Sequence, residues 1–585
     1  MLRSLLFAMT LGLASLNAQK TNLLPFPAGV TLQTATPQQL SDALGTAIKA
    51  DPAHAASLFE SALGAAGMRG LPDSQEVRNA VSAVTCALAA SISPEALPDA
   101  LRPAFEKYPD SILTVVATLS AINSQKEGKA SSDAKPVSMN LGNVCVLKVE
   151  GGKVEFVDST GAISKFKQGM FIQQGSKIVT GKNETVDLAF ENGSVLQIKP
   201  DTEFYIDQFE QAPFDHRGFT YYQPANEPAS SRIKLSVAEG TIEVDVAKLK
   251  KESRYQVFTP LGSAGIRGTS FFLSSQKGNP NTPVSIGVAE GRVQFTTTAG
   301  DSRSVSTGQA FGLSPMPSGI LFTPNPEGFA NMLSTTLQTA AQLRQSTTAT
   351  PFLGAPAPVP APPSPLSRLP AGQAAVLKQA ELLGNPILLQ VAQKLVQTSP
   401  QLAPQISAAA ADLSPNIAVQ IAVDVARSLP VQLPLIGAYV SSAAPNQAPA
   451  IAAALAGLMP GQTLAVAVAV SQVAPARAAS IASAIARVAP DQAASIAVVI
   501  AKTIPNQTVP IAQDVSITVP SQGDAINAAL SGGSGNPGGV IAPSGGLQNQ
   551  NPGSLGEPSP APTPVPTPAP SPIQPLKATP VSPSE

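Results

Sequence analysis

Proline recurs every fifteen residues through the C-terminal half of the chain, at 400, 415, 430, 445, 460, 475, 490, 505 and 520. No other feature restricts the fold so tightly. Count each proline as position 1. Position 7 is then Ile406, Ile421, Ile436, Ile451, Val466, Ile481, Ile496, Ile511 and Ile526, and position 11 is Ala410 followed by Val, Leu or Ile up to Leu530. Residues four apart share one helix face. Proline fits the first helical turn, where its missing N–H is not needed, and disfavours helix in the residue before it. Each unit therefore predicts a helix of about three turns plus a turn. Alanine at positions 8 and 12 lets neighbouring helices approach closely. One such helix cannot bury its stripe, but stacked neighbours can, so residues 370–530 predict an α-solenoid. Prolines at this spacing forbid a coiled coil, and apolar positions in phase over nine units argue against disorder. Position 3 is Gln in six units: Gln432, Gln447, Gln462, Gln492, Gln507 and Gln522. Two weaker units start at Pro370 and Asn385.

The same grammar appears near the N-terminus. Pro37 and Pro52 are fifteen apart, as are Pro94 and Pro109, with "DSQEVRNAVSAVTCALAA" between the pairs. Residues 37–123 predict a helical block of the same kind.

Between these arrays the period changes from helical to alternating. "VCVLKVEGGKVEFV", "TVDLAFENGSVLQIKP", "RIKLSVAEGTIEVDV" and "VSIGVAEGRVQFTTT" predict short strands joined by Glu-Gly or Asn-Gly turns, so residues 143–314 read as all-β. Strand, glycine turn and strand recur around Gly151, Gly240 and Gly291, which suggests a solenoid or a sandwich. A linker, 124–142, precedes this region. A helix over 325–345 and a stiff Pro-rich linker over 346–369 follow it. From 531 to 585 the chain is rich in Gly, Ser and then Pro, and predicts a disordered tail of polyproline character.

Composition narrows the function classes. Net charge is −1 with 13% charged residues, so nothing attracts nucleic acid or an anionic membrane. Residues 1–18 carry Arg3, an apolar run and small residues, the pattern of a secretory signal peptide, and no later stretch is a good membrane span. The expected location is exported: periplasm, cell envelope or extracellular. Cys86 and Cys145 each read as a small buried apolar residue, and whether they pair is open.

The β-region resembles the FecR domain, named for the iron-dicitrate transport regulators. The resemblance rests on an ordered set of motifs: "VEGGKVEF", "GMFIQQGSKIVTGKNETVDLAFENGSVLQIKPDTEF", "VAEGTIEVDV", "FTPLGSAGIRGTSF", "VAEGRVQF" and "VSTGQAF". It implies a β-rich solenoid or sandwich that mediates protein contacts without catalysis. The chain departs from those regulators: a signal peptide stands where they have an anti-sigma segment and a membrane span, and a helical array stands where a receptor-contacting domain usually follows. Their signalling role is therefore not carried over with the domain.

The candidate residues point away from chemistry. In "GIRGTSF", Gly265 and Gly268 permit backbone angles or close approach, and Arg267 offers five donors to carbonyls or a carboxylate, so Gly265, Arg267, Gly268 and Thr269 read as a structural corner. Gly151, Gly240 and Gly291 read as the recurring turns. The only histidines are His54, expected on a helical surface, and His216, in a loop whose His216, Phe219, Tyr221 and Tyr222 offer a contact surface. Glu150, Glu239 and Glu290 read as solvated turn residues. No nucleophile elbow, Cys–His pair, phosphate loop or metal-ligand set is present. The expectation is a non-enzymatic envelope scaffold or binding protein without cofactor or metal, contacting an envelope protein or a cell-wall polymer. An envelope-sensing signalling module is the alternative, and a glycan-active enzyme the third reading.

Overall fold

A computed structural model describes residues 24–71, 74–127, 138–214, 226–276, 284–298, 300–316, 319–324, 329–348 and 358–531. The expected signal peptide, the tail beyond 531 and the His216–Tyr222 loop lie outside the described residues.

The fifteen-residue unit folds as its spacing predicts, with one refinement. Proline opens a three-residue 3-10 turn rather than the α-helix itself. In the unit at Pro430 the turn is Pro430–Gln432, the helix α11 is Leu433–Ala443, and Ala444 (φ −130, ψ 68) breaks it before the next proline. Position 15 repeats this conformation at Met459, Ala474 and Ala489, because a residue before proline is pushed out of the helical region. Each helix packs against the one two units away, α11 against α9 (Ala403–Leu413) and α13 (Thr463–Val473), so the units alternate between two layers. Ile436, Val440 and their equivalents at positions 7 and 11 lie buried between the layers, except Leu530 in the last unit, which is half-buried. Position 8 of the unit at Pro430 is closely approached by its neighbours. A Cβ on Gly437 would stand 2.9 Å from Leu455 Cδ1 and 3.4 Å from Val470 Cγ2.

The two helical arrays expected on either side of the β-region are one. α1 (Pro37–Ala50), α2 (Ala55–Gly67), α3 (Gln75–Ser91), α4 (Leu97–Lys107) and α5 (Ile112–Glu127) share a single hydrophobic core with the C-terminal repeats. The junction is α5 against α7 (Ala371–Leu382) and α8 (Asn385–Thr398). There Asn123 Nδ2 donates to Gln379 Oε1 at 2.7 Å and Lys394 pairs with Asp110 at 2.6 Å. The β-region is thus an insertion in a solenoid. Its two ends are pinned together: Leu141 N donates to Val359 O at 2.8 Å, and Ala361 N donates to Met139 O at 2.9 Å.

The β-region runs from Asn140 to Pro324, wider than 143–314 on both sides. It comprises β1 (Asn140–Leu141), β2 (Val144–Glu150), β3 (Glu155–Val157), β4 (Ile163–Lys165), β5 (Phe171–Ile172), β6 (Ser176–Val179), β7 (Thr185–Phe190), β8 (Val195–Ile198), β9 (Glu203–Gln211), β10 (Ser231–Asp245), β11 (Arg254–Thr259), β12 (Gly262–Ile266), β13 (Ser270–Ser275), β14 (Val284–Glu290), β15 (Arg292–Thr297), β16 (Ser302–Ser306), β17 (Gln309–Met316) and β18 (Gly319–Pro324). One sheet has the order β4-β3-β6-β9-β10-β11-β12-β15-β16, with β1 also on β9. The other has the order β5-β2-β7-β8-β10-β13-β14-β17-β18. β10 belongs to both, and one apolar core lies between the inner faces.

The recurring glycines are where the chain crosses between the sheets. Gly151 joins β2 to β3, Gly291 joins β14 to β15, and Gly240 lies inside β10, where the strand leaves one sheet for the other. Gly240 was expected in a turn between two strands; it bends a single fifteen-residue strand instead. The three φ values are 91, 91 and 92°, a region that side chains disfavour. α6 (Phe329–Thr348), four residues later than expected, lies on the outer face of the second sheet. There Phe329 stacks on Phe272 at 5.4 Å, and Arg344 grips Asp245 with Nε at 2.8 Å and Nη2 at 2.7 Å. The expected Pro-rich linker 346–369 contains an ordered turn, Pro365–Arg368. Cys145 is buried and Cys86 exposed, which corrects the reading of both as buried, and neither is in a disulfide. No helix among the described residues is long and apolar enough to cross a membrane.

Candidate functional site

The corner residues come together as a framework. Gly268 (φ 63) turns the chain from β12 into β13, and a Cβ there would stand 3.2 Å from Lys248 Cα. A Cβ on Gly291 would lie 2.7 Å from Gly268 O, so the two corners pack against each other. Thr269 Oγ1 donates to Arg292 O at 2.9 Å across this pair, and Val246 N donates to Thr269 O at 3.0 Å. Arg267 is exposed and donates from Nη2 to Lys251 O at 3.2 Å. Gly265 sits inside β12 with no positive φ. Gly240 packs on the corner at Asp201, itself at φ 53, and Gly151 on the corner at Glu184. Glu150 and Glu290 are exposed, and Glu150 pairs with Lys148. His54 is exposed and lies 2.6 Å from Asp51.

The most concentrated polar chemistry among the described residues lies elsewhere, between the first sheet and the solenoid. Arg477 stands at position 3 of its repeat, where Gln is usual. Its Nη2 lies 2.6 Å from Asp207 Oδ1, with 8% and 2% of the two side chains exposed. Its guanidinium lies 3.6 Å from the centre of the Tyr205 ring, a stacking that guanidinium geometry favours. Asp207 also accepts from Ser236 Oγ, and Tyr205 donates to Glu203. Glu203 pairs with Lys177 at 3.1 Å. β6, β9 and β10 supply these side chains from alternate residues, which places them on the outer face of the sheet.

Further contacts line the same edge. Lys234 Nζ donates to Asp412 Oδ1 at 2.6 Å and to Ala443 O at 3.3 Å. Gln507 donates to Gly161 O at 2.8 Å, and Asn416 to Ser263 Oγ at 3.1 Å. Position 3 thus has two uses. In one layer Gln432 and Gln462 donate to Pro400 O and Pro430 O, thirty-two residues back, on the exposed edge. In the other layer Ile417, Arg477 and Gln507 are buried. Two of the three departures from Gln at this position, Ile417 and Arg477, mark the edge that carries the β-region. That break in the repeat was the one sequence signal for this interface.

Electrostatics favour a fixed, charged network. Burial alone would lower the Lys177 pKa, but Tyr205 and Glu203 more than offset it and raise it. Burial would raise Glu203, yet the Lys177 ammonium and the Tyr205 hydroxyl hold it below the usual carboxylate range. Burial and the Glu203 carboxylate push Tyr205 up, so its phenol stays a donor. Asp514, on α16 (Thr508–Thr518), is raised by burial and by Glu203 and Glu155. Other buried acids are also matched: Asp245 by Arg344 and Ser270, Glu243 by Lys199 at 2.7 Å, and Glu227 by Ser231, Ser253 and Lys250 N. Among the described residues no group of three or more His, Cys, Asp or Glu side chains is arranged to hold a metal ion. The arrangement clamps two structural parts together.

Residues 176–294, from β6 into β15, match the family model described as FecR protein. The chain carries a FecR domain. Two crystal structures, at 1.65 and 2.50 Å, of a protein described as a candidate anti-sigma factor from Parabacteroides distasonis are also similar to it. Each shows 14% identity and a TM-score of 0.19, covering 25% of this chain and 58% of that one. This chain therefore spans somewhat over half the length of that protein. No curated protein matches it. The FecR match covers the strands that carry Asp207, Tyr205 and Lys177, while Arg477 comes from the solenoid outside it.

Proposed function

We propose that the protein is an exported, non-enzymatic scaffold or binding protein of a bacterial envelope, in which a FecR domain is held in fixed orientation on an α-solenoid. One observation carries this reading. The buried acids of the FecR domain described above are matched by cations, hydroxyls or backbone donors, and Asp207 is spent on the solenoid's own Arg477. Acid–base catalysis needs titratable groups with divergent pKa values that face a substrate. A binding protein needs rigid, preorganised surfaces, which the clamp supplies.

The partner in this reading is an envelope protein or a cell-wall polymer. The test is to incubate the full chain with peptidoglycan, polysaccharide and envelope extracts, and to measure both sedimentation or capture and release of soluble product. Capture without product supports the scaffold. Product release that vanishes when Glu150, Glu239 or Glu290 is changed to Gln overturns it in favour of a glycan-active enzyme. The FecR match favours a second reading, an envelope signalling module. Capture of a regulator whose binding depends on the state of the FecR domain would select it.

A further inference from the structure

The sandwich is half-open at the end formed by β16 and β18. β16 pairs with β15 alone and β18 with β17 alone among the described strands, so each is the edge of its sheet. Thr307 and Gly308 carry the chain from β16 in one sheet to β17 in the other. The strands part from that corner, and a cavity of about 610 Å³ opens at the edge, lined by Asp301, Ser302, Arg303, Ser304, Phe311 and Phe322.

The lining continues the core outward. Val305 stands opposite Val293 and Arg303 opposite Phe295, and Val305, Val293 and Phe295 are buried. Arg303 therefore occupies an inner-face position on an edge strand. Phe322 stands opposite the buried Leu313 on the facing sheet. Phe311 and Phe322 meet edge to face at 6.4 Å, and the Arg303 guanidinium lies 4.7 Å from the Phe322 ring centre. Asp301 shares the lining without an ion pair to Arg303, and no described carboxylate pairs with that guanidinium.

An inward-pointing charge on an edge strand guards against stray strand pairing. A guard alone needs no aromatic walls and no volume of ligand-pocket size. A second copy is disfavoured as occupant, because antiparallel pairing of two β16 strands would bring two guanidiniums to the same inner side. We propose that this mouth takes an extended peptide from a partner protein, added as a strand along the free edge of β16. An acidic side chain would meet Arg303, and an aliphatic one two residues on would enter between Phe311 and Phe322. Side chains two apart share a face, and in strand addition the main chain gives affinity while such pockets give specificity. This deepens the binding-protein reading by naming a site and a ligand class.

The experiment uses the full chain and two labelled peptides, acetyl-Val-Thr-Glu-Thr-Val-Thr-amide, which sets valines two residues either side of Glu on its own face, and the same sequence with Lys for Glu. Fluorescence polarisation should show the Glu peptide binding tighter by about tenfold, as one charge contact at an interface allows. Arg303→Glu, an exposed change that leaves the core intact, should invert the order, and Phe322→Ala should weaken both peptides. Amide exchange at Ser302–Ser306 should slow when the peptide binds. Absent binding, equal affinities for both peptides, or protection confined to other strands would overturn the proposal. So would Arg303-dependent binding of chitotetraose in place of peptide. If the peptide arms fail while capture of envelope material is the same in wild type and Arg303→Glu, the mouth falls and the scaffold reading stands.

Discussion

Arg477 and Asp207 are 270 residues apart in sequence and 2.6 Å apart in space, and both are almost wholly buried. One comes from a helical repeat and the other from the FecR domain. The pair forms the centre of the interface that holds the inserted domain against the solenoid.

Breaking this pair should be costly. Arg477→Ala leaves Asp207 buried beside Ser236 alone, and an uncompensated buried charge costs about 3–5 kcal/mol. Urea unfolding of Arg477→Ala, Asp207→Ala and the double variant should show strong coupling, with the double variant less destabilised than the sum of the singles. Additive losses would show that the contact is incidental.

The clamp should weaken in acid. Glu203 is held below the usual carboxylate range, so its contribution is fully present above the unfolded value, about 4.3, and is lost as pH falls through the lower folded value. Lys177 is raised, so its contribution is lost only at strongly alkaline pH. Glu203→Gln should therefore flatten the acid limb of the stability curve. An unchanged acid limb would mean that other carboxylates carry it.

The inserted segment that carries the FecR domain should be removable. Its ends are pinned by Leu141 N–Val359 O and Ala361 N–Met139 O, so joining residue 138 to residue 362 through a short Gly-Ser linker bridges a small gap. Circular dichroism of this deletion should show a helical protein with one cooperative melt, at a lower temperature than the full chain. A non-cooperative melt would refute the continuous array. In the full chain, Ile481→Asp buries a charge at a fully covered position and should cost several kcal/mol, roughly the upper range for single substitutions.

Corner glycines should differ in a graded way. Gly240→Ala adds strain at φ 91 and a Cβ 2.6 Å from Asp201 O, whereas Gly308→Ala adds strain at φ 77 with nothing within 4 Å. Backbone strain alone costs about 1–3 kcal/mol, so Gly240→Ala should exceed Gly308→Ala. Arg267→Ala removes one bond to a carbonyl and should cost about 1 kcal/mol. Thermal melts of the three variants would give the order, and equal losses at both glycines would contradict the corner geometry.

The sequence alone determined the repeating unit. Where helices start and stop follows from proline at position 1 and aliphatic residues at positions 7 and 11, and these act within one or two turns. Strand alternation and the glycine corners are equally local, so the β-region was legible between the helical stretches. Three features needed the tertiary structure. The two arrays became one because α5 packs on α7, a pairing across the whole insertion that no local rule encodes. Gly240 became a bend between sheets because pairing partners on each side, β9 and β13, decide where a strand ends. Arg477 became a clamp because Asp207 and Tyr205 lie opposite it only after both parts have folded. Local backbone preferences fix the elements, while long-range complementarity of side chains decides which of them meet, and here that left a trace only in the broken Gln pattern at Ile417 and Arg477.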